Sequence, residues 1–200
     1  MIALIDYKAG NLTSVRKALA AIGGDVFTPE TPEALRGAQG IIVPGVGHFA
    51  ATRSLDRAWT DEILELVGNG RPLLGICLGM QWLFEGSEES PELPGLGLFG
   101  GRCYRLRGNG PQVKIPHVGW NSLERRNEGS IAEGVADGAQ VYFTHSFVAP
   151  INSETIASTD HGEPFASVVQ RGQVAGVQFH PEKSGEVGLR ILQNFLSLTE

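Results

Sequence analysis

Residues 72–81 read P-L-L-G-I-C-L-G-M-Q, an apolar run that passes without a break into a cysteine flanked on both sides by glycine. This junction restricts the fold more than any other stretch of the chain. A continuous apolar run of this length suits a parallel strand buried on both faces, and parallel strands need crossover helices to connect them. The neighbouring sequence supplies both kinds of element. Met1 to Ile5 and Gly40 to Val43 are β-rich, and between them Val15, Ala18, Leu19 and Ile22 recur at helical spacing, predicting a helix over Asn11 to Ile22. Leu55, Ala58, Trp59, Ile63, Leu66 and Val67 mark a second helix that should stop near Gly68 or Gly70.

The second half changes character. Gly101 to Arg107, Val118 to Leu123, Val141 to Thr144, Thr155 to Thr159, Phe165 to Arg171 and Val174 to Phe179 read as short, closely spaced strands, which implies antiparallel hairpins added to the parallel sheet. A last helix carries Val187, Ile191, Leu192 and Phe195 on its inner face, with Ser184 as its N-cap. The expected class is therefore α/β, an open and mostly parallel sheet with helices on both faces. With 200 residues, 42% of them hydrophobic, the chain can bury about 70% of its unfolded surface around one core, so a single domain over 1–200 is expected.

Composition excludes several functions. The net charge is -6 and the 16 Lys and Arg are scattered, which leaves no basic field for a nucleic acid. No apolar stretch is long enough to span a bilayer, and Asp6 interrupts the N-terminal run, so no membrane or secretory role is expected and the chain should work in the cytoplasm. Cys77 and Cys103 are too few for a disulfide framework and should be free thiols.

The chemistry centres on Cys77. The pattern G-I-C-L-G at 75–79 has the form of a nucleophile elbow, a sharp strand-to-helix turn that projects its central side chain. At a helix N-terminus a thiol loses its proton more readily. Cys103 has no such setting. A thiolate attacking an amide needs a proton donor for the leaving amine, and histidine serves near neutral pH. Of His48, His117, His145, His161 and His180, only His180 has an acid in a fixed relation to it, in H-P-E at 180–182. Proline holds the preceding residue extended, so Glu182 can lie beside the imidazole and orient it toward the sulfur. The order Cys, His, acid is not that of the lipase-like hydrolases. A second glycine-rich turn, P-G-V-G at 44–47, ends another predicted strand and should face the same crevice, where Val46 and Leu78 would offer N–H groups to an oxyanion.

These three motifs, P-G-V-G, G-I-C-L-G-M-Q and V-Q-F-H-P-E-K-S at 177–184, resemble those of the class I, or triad, glutamine amidotransferases, whose fold is flavodoxin-like. D-Y-K-A-G-N-L-T-S-V at 6–15, K-I-P-H-V-G-W-N at 114–121 and Y-F-T-H-S-F at 142–147 resemble, within that superfamily, the glutaminase subunits of imidazole glycerol phosphate synthases of histidine biosynthesis. Lys8 stands where those subunits often have Gly, and Val118 where they often have Met. The resemblance implies hydrolysis of glutamine to glutamate and ammonia through a thioester on Cys77, with His180 protonating the ammonia and no cofactor or metal. It places Gly45, Gln81, His145 and Ser146 around the glutamine, the last two through backbone groups. It further implies a heterodimer with a (β/α)₈-barrel cyclase subunit that receives the ammonia, with Asn11, Trp120, Tyr142 and Lys183 near that partner. Three other readings stay open: a glutaminase serving anthranilate, aminodeoxychorismate or pyridoxal phosphate synthase; a catalytically silent regulatory subunit; and a small cysteine peptidase.

Overall fold

The computed structural model describes residues 1–108 and 113–200. In chain order its elements are β1 (Ile2–Leu4), α1 (Leu12–Ala21), β2 (Val26–Phe27), β3 (Gly40–Val43), α2 (Arg57–Gly68), β4 (Leu73–Ile76), α3 (Leu78–Trp82), β5 (Tyr104–Arg105), β6 (His117–Ser122), β7 (Glu124–Arg125), β8 (Gln140–His145), β9 (Phe147–Val148), β10 (Thr155–Asp160), β11 (Pro164–Arg171), β12 (Val174–Val177) and α4 (Gly185–Ser197). An eight-stranded sheet runs β2-β1-β3-β4-β12-β11-β10-β7. The first five of these are parallel, and β11, β10 and β7 extend the sheet antiparallel. Two separate ladders, β5 with β9 and β6 with β8, complete the antiparallel part.

The alternation of side chains along the central strands divides the core into two layers. Ile2, Leu4, Ile42, Leu74 and Ile76 pack with Val15 and Leu19 of α1 and Ile191, Leu192 and Phe195 of α4. Ala3, Ile5, Ile41, Val43 and Leu73 point the other way, toward Ile63 and Leu66 of α2 and Leu78 and Met80 of α3. Helices therefore cover both faces, as the buried runs in the sequence require. No helix among the described residues is long and apolar enough to cross a membrane.

The expected elements recur, most of them shorter at their ends. The run to Phe179 leaves the sheet at Val177, and the run from Gly101 forms a strand only over Tyr104 and Arg105, with a single bridge from Cys103 to Ser87 before it. The two-residue strand β2 is too short to carry a period and is a new element. Ser184 does occupy the N-cap position of α4, yet it makes no capping bond. Its hydroxyl instead donates to His180 O at 2.7 Å and accepts from Tyr142 N at 3.0 Å, stitching the 180–184 turn to β8. Lys8 has φ of 63°, the left-handed region that favours glycine, the residue the resemblance leads one to expect there.

The four neighbouring strands β1, β3, β4 and β12 all end on the same edge of the sheet. Their carboxyl ends release the segments containing Asn11, the 44–47 turn, Cys77 and His180, so the topology alone converges these residues on one crevice.

Candidate active site

Cys77 follows β4 directly and caps α3, with φ 53° and ψ −107°. A non-glycine residue in this region is strained, and it persists only where its surroundings over-determine it. Here the surroundings are glycine. A Cβ on Gly79 would fall 1.7 Å from Val43 O, and one on Gly75 would fall 2.7 Å from the Gly79 backbone. Only glycine lets α3 start this close beneath β3 and β4, which tilts the Cys77 side chain up from the sheet. The result is the elbow that the spacing predicted.

β12 lies beside β4 in parallel, with Val177 opposite Ile76, and Cys77 N donates to Val177 O at 2.8 Å. Three residues further on, His180 reaches back toward the sulfur. Its Nδ1 pairs with Glu182 Oε1 at 2.8 Å, and both side chains are buried. Since a carboxylate can only accept, Nδ1 carries a proton, and among the described residues Nε2 has no hydrogen-bond partner. Burial opposes a charge on this imidazole, but the adjacent Cys77 and Glu182 side chains outweigh it and raise its pKa to about 10. Asn11, expected near a partner, donates its side-chain N–H to the same Glu182 oxygen, so it also holds the carboxylate from within this chain. Cys103 is fully buried and its thiol is pushed up by desolvation, which makes it inert.

A cavity of about 210 Å³ opens above the sulfur, lined by Gly47, Cys77, Leu78, Gln81, Glu89, Pro116, Thr144, His145, Ser146 and Phe147. Gln81, His145 and Ser146, which the resemblance places around the glutamine, are among these lining residues. Gly45 is not among them: a Cβ there would meet the Tyr7 hydroxyl at 1.9 Å, and Gly47 is the residue of this turn that lines the cavity. The side chain of His145 is fully engaged. Nδ1 bonds Phe147 O at 3.2 Å, which fixes the proton there, so Nε2 accepts from His117 Nδ1 at 3.1 Å. His117 Nε2 in turn accepts from Asn121 at 3.3 Å. Burial holds both rings neutral, His117 down to about 4 and His145 well below its ordinary value. The His145 ring therefore has no nitrogen left for a ligand, while Ser146 beside it lines the cavity.

The 44–47 turn is arranged differently from the elbow. Val46 N donates to Ala9 O at 2.8 Å, and Leu78 N donates to Gly45 O at 3.3 Å. Both N–H groups expected to hold an oxyanion are therefore taken up within the chain. Beside them the Tyr7 hydroxyl is buried without a partner among the described residues.

A family model described as glutamine amidotransferase class-I matches residues 3–198. The chain belongs to the class-I glutamine amidotransferases. It is 48% identical over 204 residues to the imidazole glycerol phosphate synthase subunit HisH of Thermococcus kodakarensis, covering 99% of this chain and all of that one. The subunit of the same name from Gloeobacter violaceus is 49% identical over 201 residues, covering 98% of this chain and 88% of its own. Among solved structures, a glutamine amidotransferase superposes with a TM-score of 0.77 at 24% identity, over 100% of this chain and 99% of that one. PurLQS from Thermotoga maritima follows with 0.76 at 19% identity, over 100% and 98%. These structural likenesses speak to the fold alone.

Gly47, Glu89, Pro116, Thr144 and Phe147 line the cavity and Gln178 touches the sulfur, and the sequence marks none of them as a site residue. Glu89 lies in the irregular 83–103 segment, where nothing periodic flags it, and its carboxylate accepts from Phe49 N at 2.7 Å. Gln178 lies inside a quoted motif, but in a run that reads as strand interior.

On the opposite flank of the 180–184 turn, Trp120 and Val118 are each 57% exposed on one side of β6. Trp120 meets Tyr142 edge-on at 6.0 Å, and the Lys183 ammonium sits 5.8 Å over the Tyr142 ring. Trp120 is thus no ordinary core aromatic.

Proposed function

We propose that the chain, as one glutamine amidotransferase domain, hydrolyses glutamine with Cys77, His180 and Glu182. It would do so in the cytosol, as the glutaminase subunit of an imidazole glycerol phosphate synthase. The observation that carries this reading is the strained Cys77 elbow facing an imidazole whose Nδ1 is held by Glu182 at 2.8 Å. Cys77 sulfur attacks the side-chain amide carbon as a thiolate, with His180 charged beside it. The C–N bond of the tetrahedral intermediate then breaks as His180 Nε2 gives its proton to nitrogen, and ammonia leaves. Water, deprotonated by the now neutral His180, adds to the thioester; the C–S bond breaks and glutamate departs. The backbone of 145–147, with Gln81 and Glu89, would grip the amino-acid end of glutamine.

The oxyanion would be held by Val46 and Leu78 only after a rearrangement. Gly45 O and Val46 N belong to one peptide unit, and one rotation of that unit frees Leu78 N while turning Val46 N inward. A preformed donor is worth about 10² to 10³ in rate, so the free chain should be slow and a partner that turns this peptide should accelerate it. The relatives' names favour an imidazole glycerol phosphate synthase over the anthranilate, aminodeoxychorismate or pyridoxal phosphate synthases. The Trp120, Val118, Tyr142 and Lys183 face, next to the 180–184 turn, is where that (β/α)₈ subunit would dock, since exposed aromatic patches of this kind favour burial against a partner.

The test is a glutaminase assay of the chain alone and with the cyclase and its ribonucleotide ligand, run beside Cys77→Ser. The reading expects stimulation of about 10² to 10³ with the cyclase and no turnover by Cys77→Ser. Turnover by Cys77→Ser, or stimulation by a different synthase only, contradicts it.

A further inference from the structure

Gln178 is fully buried, and its side chain touches the sulfur of Cys77. Its place follows from the sheet: with Val177 opposite Ile76 in parallel register, the next residue of each strand falls side by side. The backbone of Gln178 is pinned by a 2.9 Å bond from its N–H to Ser167 O. Its Nε2 lies 3.6 Å from Cys77 Sγ.

Which end of the carboxamide faces sulfur is decided elsewhere. Gln81 Nε2 lies 2.8 Å from Phe147 O and 3.1 Å from Gln178 Oε1. Phe147 O is a backbone carbonyl and can only accept, so the Gln81 atom against it must be the nitrogen. The second proton of that nitrogen then points at Gln178, whose facing atom must be oxygen. The remaining end of Gln178, the NH₂ group, is left against the sulfur. A carbonyl of the pocket wall thus sets the polarity of a two-glutamine chain that ends on Cys77.

We propose that Gln178 is a catalytic residue whose side-chain N–H stabilises the Cys77 thiolate, with Gln81 as the positioning residue that keeps the donor end toward sulfur. The proposal rests on the reading of Cys77 as the nucleophile. A donor hydrogen-bonded to the charged form favours that form, and it does so more strongly in a site shielded from water. A carboxamide suits this task because it has no proton to exchange with His180. It adds a neutral donor at the sulfur to the charged imidazole.

The experiment compares wild type with Gln178→Met, which keeps length and apolar bulk but lacks the donor. Iodoacetamide labelling of Cys77 is followed by peptide mass from pH 6 to 10, in the full chain bound to the cyclase. A hydrogen bond to a charged group corresponds to a factor of roughly 10 to 100 in thiolate population. A less acidic thiol is also a better nucleophile, which offsets about half of that on a logarithmic scale. The net expectation is labelling slower by roughly three- to tenfold at pH 7, with the two curves crossing so that the variant is as fast or faster at pH 10. The KM for glutamine should stay within about twofold while kcat falls, since the lost bond is to the nucleophile and not to the ground-state substrate.

Equal labelling rates at pH 7, or slowing by the same factor at every pH, would overturn the proposal; the second pattern is that of a merely structural residue. Should Gln178→Met not fold, the unaltered chain decides. The side-chain amide resonance of Gln178 must shift when Cys77 is alkylated, and its staying in place removes the proposal. Loss of the Gln178 effect with turnover still abolished by Cys77→Ser would cost only this inference, whereas turnover by Cys77→Ser would remove the reading beneath it.

Discussion

The elbow at Cys77 and the turn at 44–47 lie side by side at the ends of β4 and β3, and they are in opposite states of readiness. At the elbow every part is in place: the strained backbone, the glycines that permit it, the imidazole and the carboxylate that orients it. At the turn the donors are bound to Ala9 and Gly45 carbonyls, and a buried tyrosine hydroxyl has nothing to bond. The difference teaches where control can be exerted. Strain at the elbow is locked in by backbone contacts that no ligand could release cheaply, whereas the turn is held by two hydrogen bonds, each worth about 1 kcal/mol net. A partner with a few kcal/mol of differential binding can rotate one and leave the other untouched.

The sharpest way to break this comparison is at the elbow. His180→Asn should lower kcat, measured with the cyclase present, by about 10⁴ to 10⁶, as loss of one member of a catalytic triad does; a loss of less than tenfold would mean the imidazole is a bystander. Next comes the scaffold beneath. Gly79→Ala places a Cβ 1.7 Å from Val43 O, where only backbone could yield. Denaturant unfolding should register a loss of about 3 kcal/mol, and a variant as stable as wild type would show that the elbow is not locked.

Titration separates the triad from the pocket wall. His117 and His145 are held neutral by burial, with pKa values below the ordinary 6.5, so the stability they contribute is present above that value and is lost as pH falls toward about 4. His180 is the reverse: its raised pKa means a contribution complete below 6.5 and lost as pH climbs through about 10. Melting temperature should therefore decline on both limbs, and His117→Phe should flatten the acid limb only. An unchanged acid limb in that variant would contradict the neutral histidine chain. The smallest effect belongs to the turn. Tyr7→Phe removes a buried hydroxyl that bonds nothing, so stability should hold or rise by up to about 1 kcal/mol; a clear loss would mean that the hydroxyl is already satisfied.

Much of this was legible in the sequence because it is local. The apolar run before Cys77, the glycines two residues to either side, and H-P-E after a strand each encode geometry within a few residues. The helices over Leu12–Ala21 and Arg57–Gly68 followed from their periods in the same way. What stayed hidden is set by partners far along the chain. Asn11 reaches Glu182 across 171 residues, and Gln178 meets Cys77 only through the parallel register of β12 on β4. Ser184 has the residue type of a helix cap, but β8 offered its hydroxyl a different bond. The state of the 44–47 turn is equally invisible, since P-G-V-G permits both peptide orientations and the carbonyl of Ala9 selects one.

The most direct test of the contrast is the labelling rate of Cys77 by a small alkylating agent, compared between the free chain and its complex with cyclase and ligand. A nucleophile that is already assembled should react at rates within about twofold in the two states, even as glutamine turnover rises by about 10² to 10³. If labelling instead rises in step with turnover, the sulfur is not ready in the free chain, and the division between a finished elbow and an unfinished oxyanion turn is wrong.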